Sequence, residues 1–241
     1  MNSIIITKNY KEPPFCEKEI LRYAGCKSSD DELLQLLRAC IEEVRGKLAY
    51  KICYCELPVI IREENCDFDC MTIRSRNLAK NLQGCKKVIV FAATLGVEID
   101  RLIAKYGRIS PTKALMFQAI GAERIEALCD AFCEEIQIEL CDNEESGKKV
   151  NLRPRFSPGY GDLSLEVQKE IFQILDCSKR IGLSLNDSLL MSPSKSVTAF
   201  VGVVKSEEMT EQAETTKISN EGLKRNKCTA CNKADCEYRG V

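Results

Sequence analysis

The chain has 241 residues, 44% of them hydrophobic and 29% charged, which fits one large or two small domains of ordinary globular balance. A formal net charge of −1 gives no footprint for nucleic acid or an anionic membrane. Without a membrane-length apolar run or a signal-peptide pattern, a cytoplasmic protein is expected.

Residues 1–15 carry Pro13-Pro14 and read as an extended lead-in. Glu17–Ala24 is a short helix ended by Gly25. Ser28 or Ser29, followed by Asp30, Asp31 and Glu32, gives a capping hydroxyl and then acids at the positive helix end. Leu33, Leu36, Leu37, Cys40, Ile41 and Val44 then recur at helical spacing, and Gly46 closes that helix. Tyr50–Ile61 is rich in strand formers, with Pro58 marking an edge or a bulge. Alternation puts Cys53 and Cys55 on one face, where both read as small buried hydrophobes. Cys66 and Cys70 flank a hairpin or strand start. Ser75–Leu82 is a short helix ending near Gly84.

Val88–Ala93 is a continuous apolar run and reads as a central strand buried on both faces. A helix from Val97 to Tyr106 follows Thr94-Leu95-Gly96 and stops at Gly107. The GxGxxG pattern is missing there, so a nucleotide loop has little support. Ser110-Pro111 opens a long helix that runs to about Glu145. Asp162 or Ser164 caps a helix over Leu165–Leu175. Ile181–Leu190 is turn-like, and Lys195–Val204 is a strand.

Between the long helix and the Leu165 helix lies Arg153-Pro154-Arg155-Phe156-Ser157-Pro158-Gly159-Tyr160-Gly161-Asp162. The prolines fix their own φ and extend the residues before them, while the glycines permit close approach. The stretch reads as a stiff loop. Arg155 offers a planar donor fork to a carboxylate, proline-flanked carbonyls can accept, and Tyr160 adds a flat face and a hydroxyl. A cradle for a zwitterionic small molecule with an aromatic base fits these residues; so does a plain connection.

The chain holds fifteen cysteines, an odd number, and no histidine. Most sit singly in apolar patterns, so reduced thiols are expected rather than a disulfide scaffold. Without histidine there is no Ser–His or Cys–His pair and no histidine-ligated zinc. Residues 206–226 are polar and charged, and read as a linker. Cys228, Cys231 and Cys236 follow with polar spacers, a pattern suited to zinc, an iron–sulfur cluster or a redox thiol group. The expected division is a folded domain over 1–205 and a cysteine-rich tail over 206–241.

The run Arg155-Phe156-Ser157-Pro158-Gly159-Tyr160 resembles the Arg-x-x-x-Gly-Tyr motif of the activation domain of cobalamin-dependent methionine synthase. Gly161–Gln168 and Met191–Phe200 resemble the free-standing versions of that domain. The similarity runs loosely over residues 30–204. It implies an α+β fold: a twisted, mainly antiparallel sheet with packed helices. It also implies S-adenosylmethionine as ligand. Arg155 would hold the ligand carboxylate, backbone groups of Ser157 and Gly159 its polar edges, and Tyr160 its adenosyl part. Asp130, in Leu128–Glu134, falls where the family places an acid for the ammonium or sulfonium. The fused enzymes carry a glutamate there. The family's acid near the domain N-terminus and its late tyrosine have no match here.

In the family, this domain presents a methyl group to oxidised cobalamin while an external protein supplies an electron. With no histidine to ligate cobalt, the chain is not expected to carry the cobalamin itself. No folate, homocysteine or cobalamin module is present, so the full synthase reaction is not expected. The implied role is a reactivation subunit whose partners are a corrinoid-bearing methionine synthase and an electron-donor protein. A metal-binding redox adaptor working through the tail cysteines, and a sensor that binds S-adenosylmethionine without transferring methyl, are the alternatives.

Overall fold

The computed structural model describes residues 4–26, 30–142 and 150–205. In chain order the elements are β1 (Ile6–Asn9), α1 (Glu17–Tyr23), α2 (Asp31–Val44), β2 (Lys51–Arg62), β3 (Asn65–Phe68), β4 (Met71–Arg74), α3 (Arg76–Asn81) and β5 (Lys87–Thr94). Then come α4 (Glu98–Ile109), α5 (Pro111–Asp142), β6 (Val150–Leu152), α6 (Val167–Leu175), α7 (Cys177–Ile181), β7 (Ser184–Leu185), β8 (Met191–Ser192) and β9 (Ser196–Lys205). A 7-stranded sheet runs β4-β3-β2-β5-β9-β6, with β1 beside β2. All its pairings are antiparallel. β7 and β8 form a separate ribbon. This is the α+β architecture expected from the sequence.

β5 lies between β2 and β9 and is buried along all but its first residue. Its alternation divides the core into two layers. Val88, Val90 and Ala92 join Cys53, Cys55 and Leu57 against Ile171, Leu175 and Cys177 of α6 and α7. Ile89, Phe91 and Ala93 join Ile52, Tyr54, Ala199 and Val201 against Ile125, Leu128, Phe132 and Ile136 of α5. Cys53 and Cys55 are fully buried, as expected, and burial pushes the Cys55 thiol up to about 12. Every described cysteine is a free thiol.

Helix α5, 32 residues long, ties this sheet to a helical layer. At ~1.5 Å per residue it spans roughly 48 Å. Met116, Phe117 and Ile120 near its start pack with α1, α2 and α4 through Ile20, Leu37, Ile41, Val44, Ile99 and Leu102. Its later turns cover the sheet. Different faces are buried at its two ends, so no single apolar stripe runs its length.

Arg124 sits between these halves with its side chain fully buried. It pairs with Glu123 at 2.5 Å and donates to the carbonyls of Pro13 and, at 2.7 Å, Pro14. The Phe15 ring lies 4.1 Å from the guanidinium, and Glu123 also accepts from the Cys16 N–H at 3.3 Å. The lead-in is thus clamped to α5. A buried charge is tolerated only when its donors are met, and here protein groups meet them.

Four local expectations need correction. The lead-in is extended, but Ile6–Asn9 pairs with β2 as a strand. The cap of α2 is Asp30, whose carboxylate accepts from the Leu33 N–H at 2.8 Å; Ser28 and Ser29 lie outside the described residues. Helix α4 passes through Gly107 and ends at Ser110, before Pro111. A single helical glycine costs only about 1 kcal/mol, whereas the residue before proline is pushed out of the helical region. Finally, α6 starts at Val167, and the turn that leads into it from Leu165 is capped by Ser164, whose hydroxyl accepts from the Glu166 N–H at 3.2 Å; Asp162, the other expected cap, does not serve this helix. Asp162 caps α3 instead. It accepts from the Arg76 N–H at 2.8 Å, the Asn77 N–H at 3.2 Å and the Ser75 hydroxyl.

Candidate functional site

The stiff loop at 153–162 lies along the edge of the sheet. It continues β6 beside β9: the Arg153 N–H donates to Gly202 O at 2.8 Å. Phe156 and Phe200 exchange both backbone bonds at 2.9 Å. The far end is held by Asp162 on the first turn of α3, and Asn81 of that helix donates to Pro154 O at 3.2 Å. A loop fixed at root, middle and tip offers preorganised side chains.

Within it the chain turns tightly. The Tyr160 N–H reaches Ser157 O at 3.2 Å, the Gly159 N–H reaches Leu163 O at 2.9 Å, and the Leu163 N–H reaches Tyr160 O at 3.0 Å. The Ser157 carbonyl and Gly159 N–H therefore shape the loop itself. Gly159 and Gly161 have φ of +90° and +58°. A Cβ on Gly161 would come within 2.3 Å of Asn77 Nδ2, so both backbone angle and space call for glycine there.

Arg155 points from this loop onto α5. Its Nη1 donates to Asp130 Oδ1 at 2.5 Å and its Nη2 to Glu126 Oε2 at 2.6 Å. Cys133 Sγ lies 4.0 Å from Nη1. Burial opposes the guanidinium's charge, but the Glu126 and Asp130 carboxylates favour it, and the net shift is upward. Burial pushes the neighbouring Cys129 thiol up, so it is no nucleophile at neutral pH. The Arg155 side chain is 16% exposed, Glu126 38% and Asp130 56%. The cluster lies at the solvent boundary, and the Tyr160 residue is 66% exposed.

Arg155 and Asp130, each expected to meet a ligand group, are instead paired with one another, with Ser157, Gly159 and Tyr160 on the same pinned loop. The motif misses Glu126. The signal was available: Glu126 and Asp130 are four residues apart on one helix, hence on one face. The tail cysteines Cys228, Cys231 and Cys236 lie outside the described residues. Among the described residues no group of His, Cys, Asp and Glu side chains is arranged for a metal ion. No described helix is long and apolar enough to cross a membrane.

A mainly antiparallel sheet with a long spanning helix and an arginine-bearing edge loop defines the class. A crystal structure of the MetH reactivation domain bound to AdoHcy matches with a TM-score of 0.60 at 14% identity, covering 83% of this chain and 78% of that one. The fold is that of a methionine synthase reactivation domain. The model of the family described as vitamin B12-dependent methionine synthase, activation domain, matches residues 74–225, and the chain belongs to that family. Comparison with curated proteins gives no match.

Proposed function

We propose that this protein binds S-adenosylmethionine at the Arg155 loop and supports reductive methylation of oxidised cobalamin held by a separate cytoplasmic methionine synthase. One observation carries this reading. A largely covered guanidinium meets two partly exposed carboxylates at the solvent boundary between a loop and a helix that are themselves held in place, and Tyr160 of the same loop is exposed. Family membership and the likeness to an AdoHcy-bound reactivation domain support it.

The residues suit the ligand's chemistry. In this reading the ligand carboxylate replaces an acid partner of Arg155, whose fork is otherwise spent on Asp130 and Glu126. Asp130 attracts the ammonium or sulfonium, and the Tyr160 ring lies against the adenosyl part or the cation. Ser157 and Gly159 fix the turn that aims these groups. S-adenosylmethionine, when bound, supplies an electrophilic methyl group. The cobalamin belongs to the partner, and the electron comes from a further donor protein. The chain's own groups bind and orient; among those at the site, no thiol or carboxylate is asked to react. Residues 1–205 form the working domain in this reading. The tail from 206 is a separate thiol-bearing segment, suited to zinc or an iron–sulfur cluster through Cys228, Cys231 and Cys236.

Titration calorimetry of the full chain with S-adenosylmethionine tests the reading, wild type against Arg155→Ala. Binding by the wild type and its loss in the variant are expected; no binding at millimolar ligand rules the reading out. Anaerobic methyl transfer to cobalt, with a corrinoid-bearing methionine synthase and a one-electron donor, separates reactivation from sensing alone.

A further inference from the structure

Both terminal nitrogens of the Arg155 fork are taken by acids of α5, Nη1 by Asp130 at 2.5 Å and Nη2 by Glu126 at 2.6 Å. A ligand carboxylate that grips the fork through both terminal nitrogens has to displace one of them. The two acids differ in how readily they yield. Asp130 is the shorter, and its carboxylate is the one that meets the ligand cation in the reading above. Glu126 has one more methylene and so a longer reach. It also has a second group to turn to. Helix α1 packs against α5 and carries the half-buried Tyr23, whose phenol feels the Glu126 carboxylate. Burial first, and then Glu126, raise that phenol above the ordinary tyrosine value, while Arg22 acts the other way. A phenol so placed keeps its proton at neutral pH and can donate a hydrogen bond to a carboxylate.

We propose that Glu126 is the acid that yields: the ligand carboxylate takes its place on Arg155 Nη2, and the Glu126 side chain turns to the Tyr23 hydroxyl. The proposal rests on the reading of the Arg155 loop as the S-adenosylmethionine site. Glu126 is then a competitor of the ligand carboxylate, and Tyr23 is the group that receives the displaced acid. Leaving a half-covered carboxylate without a donor would oppose the exchange; the phenol returns a hydrogen bond for the one lost. The exchange also sets a requirement on the ligand. A nucleoside sulfonium without a carboxylate has nothing to put in the place of Glu126 and gains nothing from Arg155.

The test is titration calorimetry of the full chain with S-adenosylmethionine and with decarboxylated S-adenosylmethionine, which keeps the sulfonium and the ammonium. The chain is compared as wild type, Glu126→Gln, Tyr23→Phe and the double variant. A neutral amide holds a guanidinium less tightly than a carboxylate does, so Glu126→Gln is expected to bind S-adenosylmethionine about tenfold more tightly, equivalent to ~1.4 kcal/mol. The decarboxylated ligand should show no such gain. Tyr23→Phe is expected to weaken S-adenosylmethionine about fivefold, and by clearly less when Glu126 is already glutamine, because the two residues act as a coupled pair. Three results would overturn the proposal and leave the reading of the loop standing: no gain in Glu126→Gln, an equal gain for both ligands, or the same loss from Tyr23→Phe in both backgrounds. A wild type that does not bind S-adenosylmethionine removes that reading and this proposal together.

Discussion

Two arginines meet acids of the same helix, and their surroundings differ in kind. Arg124 has a fully buried side chain, with its fork spent on Glu123 and two proline carbonyls under a phenylalanine ring. Arg155 meets Glu126 and Asp130 at nearly the same distances, but those acids are 38% and 56% exposed. The first arginine is enclosed by protein on every donor and anchors the N-terminal segment. The second is largely covered too, but the acids that hold it are open to solvent. Ion pairing alone does not make an arginine structural; what fills the remaining space does.

This contrast is open to direct attack. Arg124→Ala leaves Glu123 buried and unpaired and frees the lead-in, so it is expected to lower unfolding stability by about 3–5 kcal/mol in denaturant titration. The same measurement on Arg155→Ala should show a loss of only about 1 kcal/mol. Its ligand affinity should fall at least tenfold, since charge-assisted hydrogen bonds contribute roughly 1.5–3 kcal/mol. Equal stability losses in the two variants would erase the distinction.

Gly202→Ala probes the root of the loop. A Cβ there would lie 2.5 Å from Cys85 Sγ, 2.9 Å from Leu82 Cδ2 and 3.1 Å from Arg153 Cγ. Overpacking of about 1–3 kcal/mol is expected by thermal unfolding, with weakened binding as the Arg153 segment shifts.

Asp162→Asn probes the tip, with a cap loss of about 1 kcal/mol at neutral pH. Burial opposes the Asp162 charge, but Ser75 and the Asn77 and Arg76 N–H groups outweigh it and hold its pKa below the ordinary aspartate value. A depressed carboxylate stabilises the fold above its unfolded pKa of about 3.9 and loses that contribution as pH falls through the lower folded value. The stability difference between wild type and Asp162→Asn should therefore shrink on acidification below about pH 4. A difference independent of pH would remove the capping role.

Much of the framework was legible along the chain. The apolar run at 88–93 could only be a strand covered on both faces, and it is the middle of the sheet. The Ser110-Pro111 start and the lack of proline beyond it gave α5. Thiols set singly in apolar patterns read as core, and Cys53, Cys55 and Cys177 are core. The boundaries that went astray share a cause. Gly107 looks like a stop in the sequence, but the residue before Pro111 is the stronger one, and the helix runs on to it. Of the two local caps the chain offers before α6, Ser164 takes the place, while the partners of Asp162 lie more than eighty residues back.

The candidate site divides the same way. Composition and spacing along the chain placed a rigid, guanidinium-bearing loop and a long helix, because proline, glycine and helical period act over a few residues, and only the family resemblance singled out Asp130 on that helix. That the loop lies on the sheet edge, and that Glu126 joins Asp130 in holding Arg155 while Glu123 holds the buried Arg124, follows from the packing of α5 across the sheet. Charges one turn apart on a helix look alike in a sequence. Their distance from water, which governs whether they clamp or bind, is set when distant segments cover one and leave the other exposed.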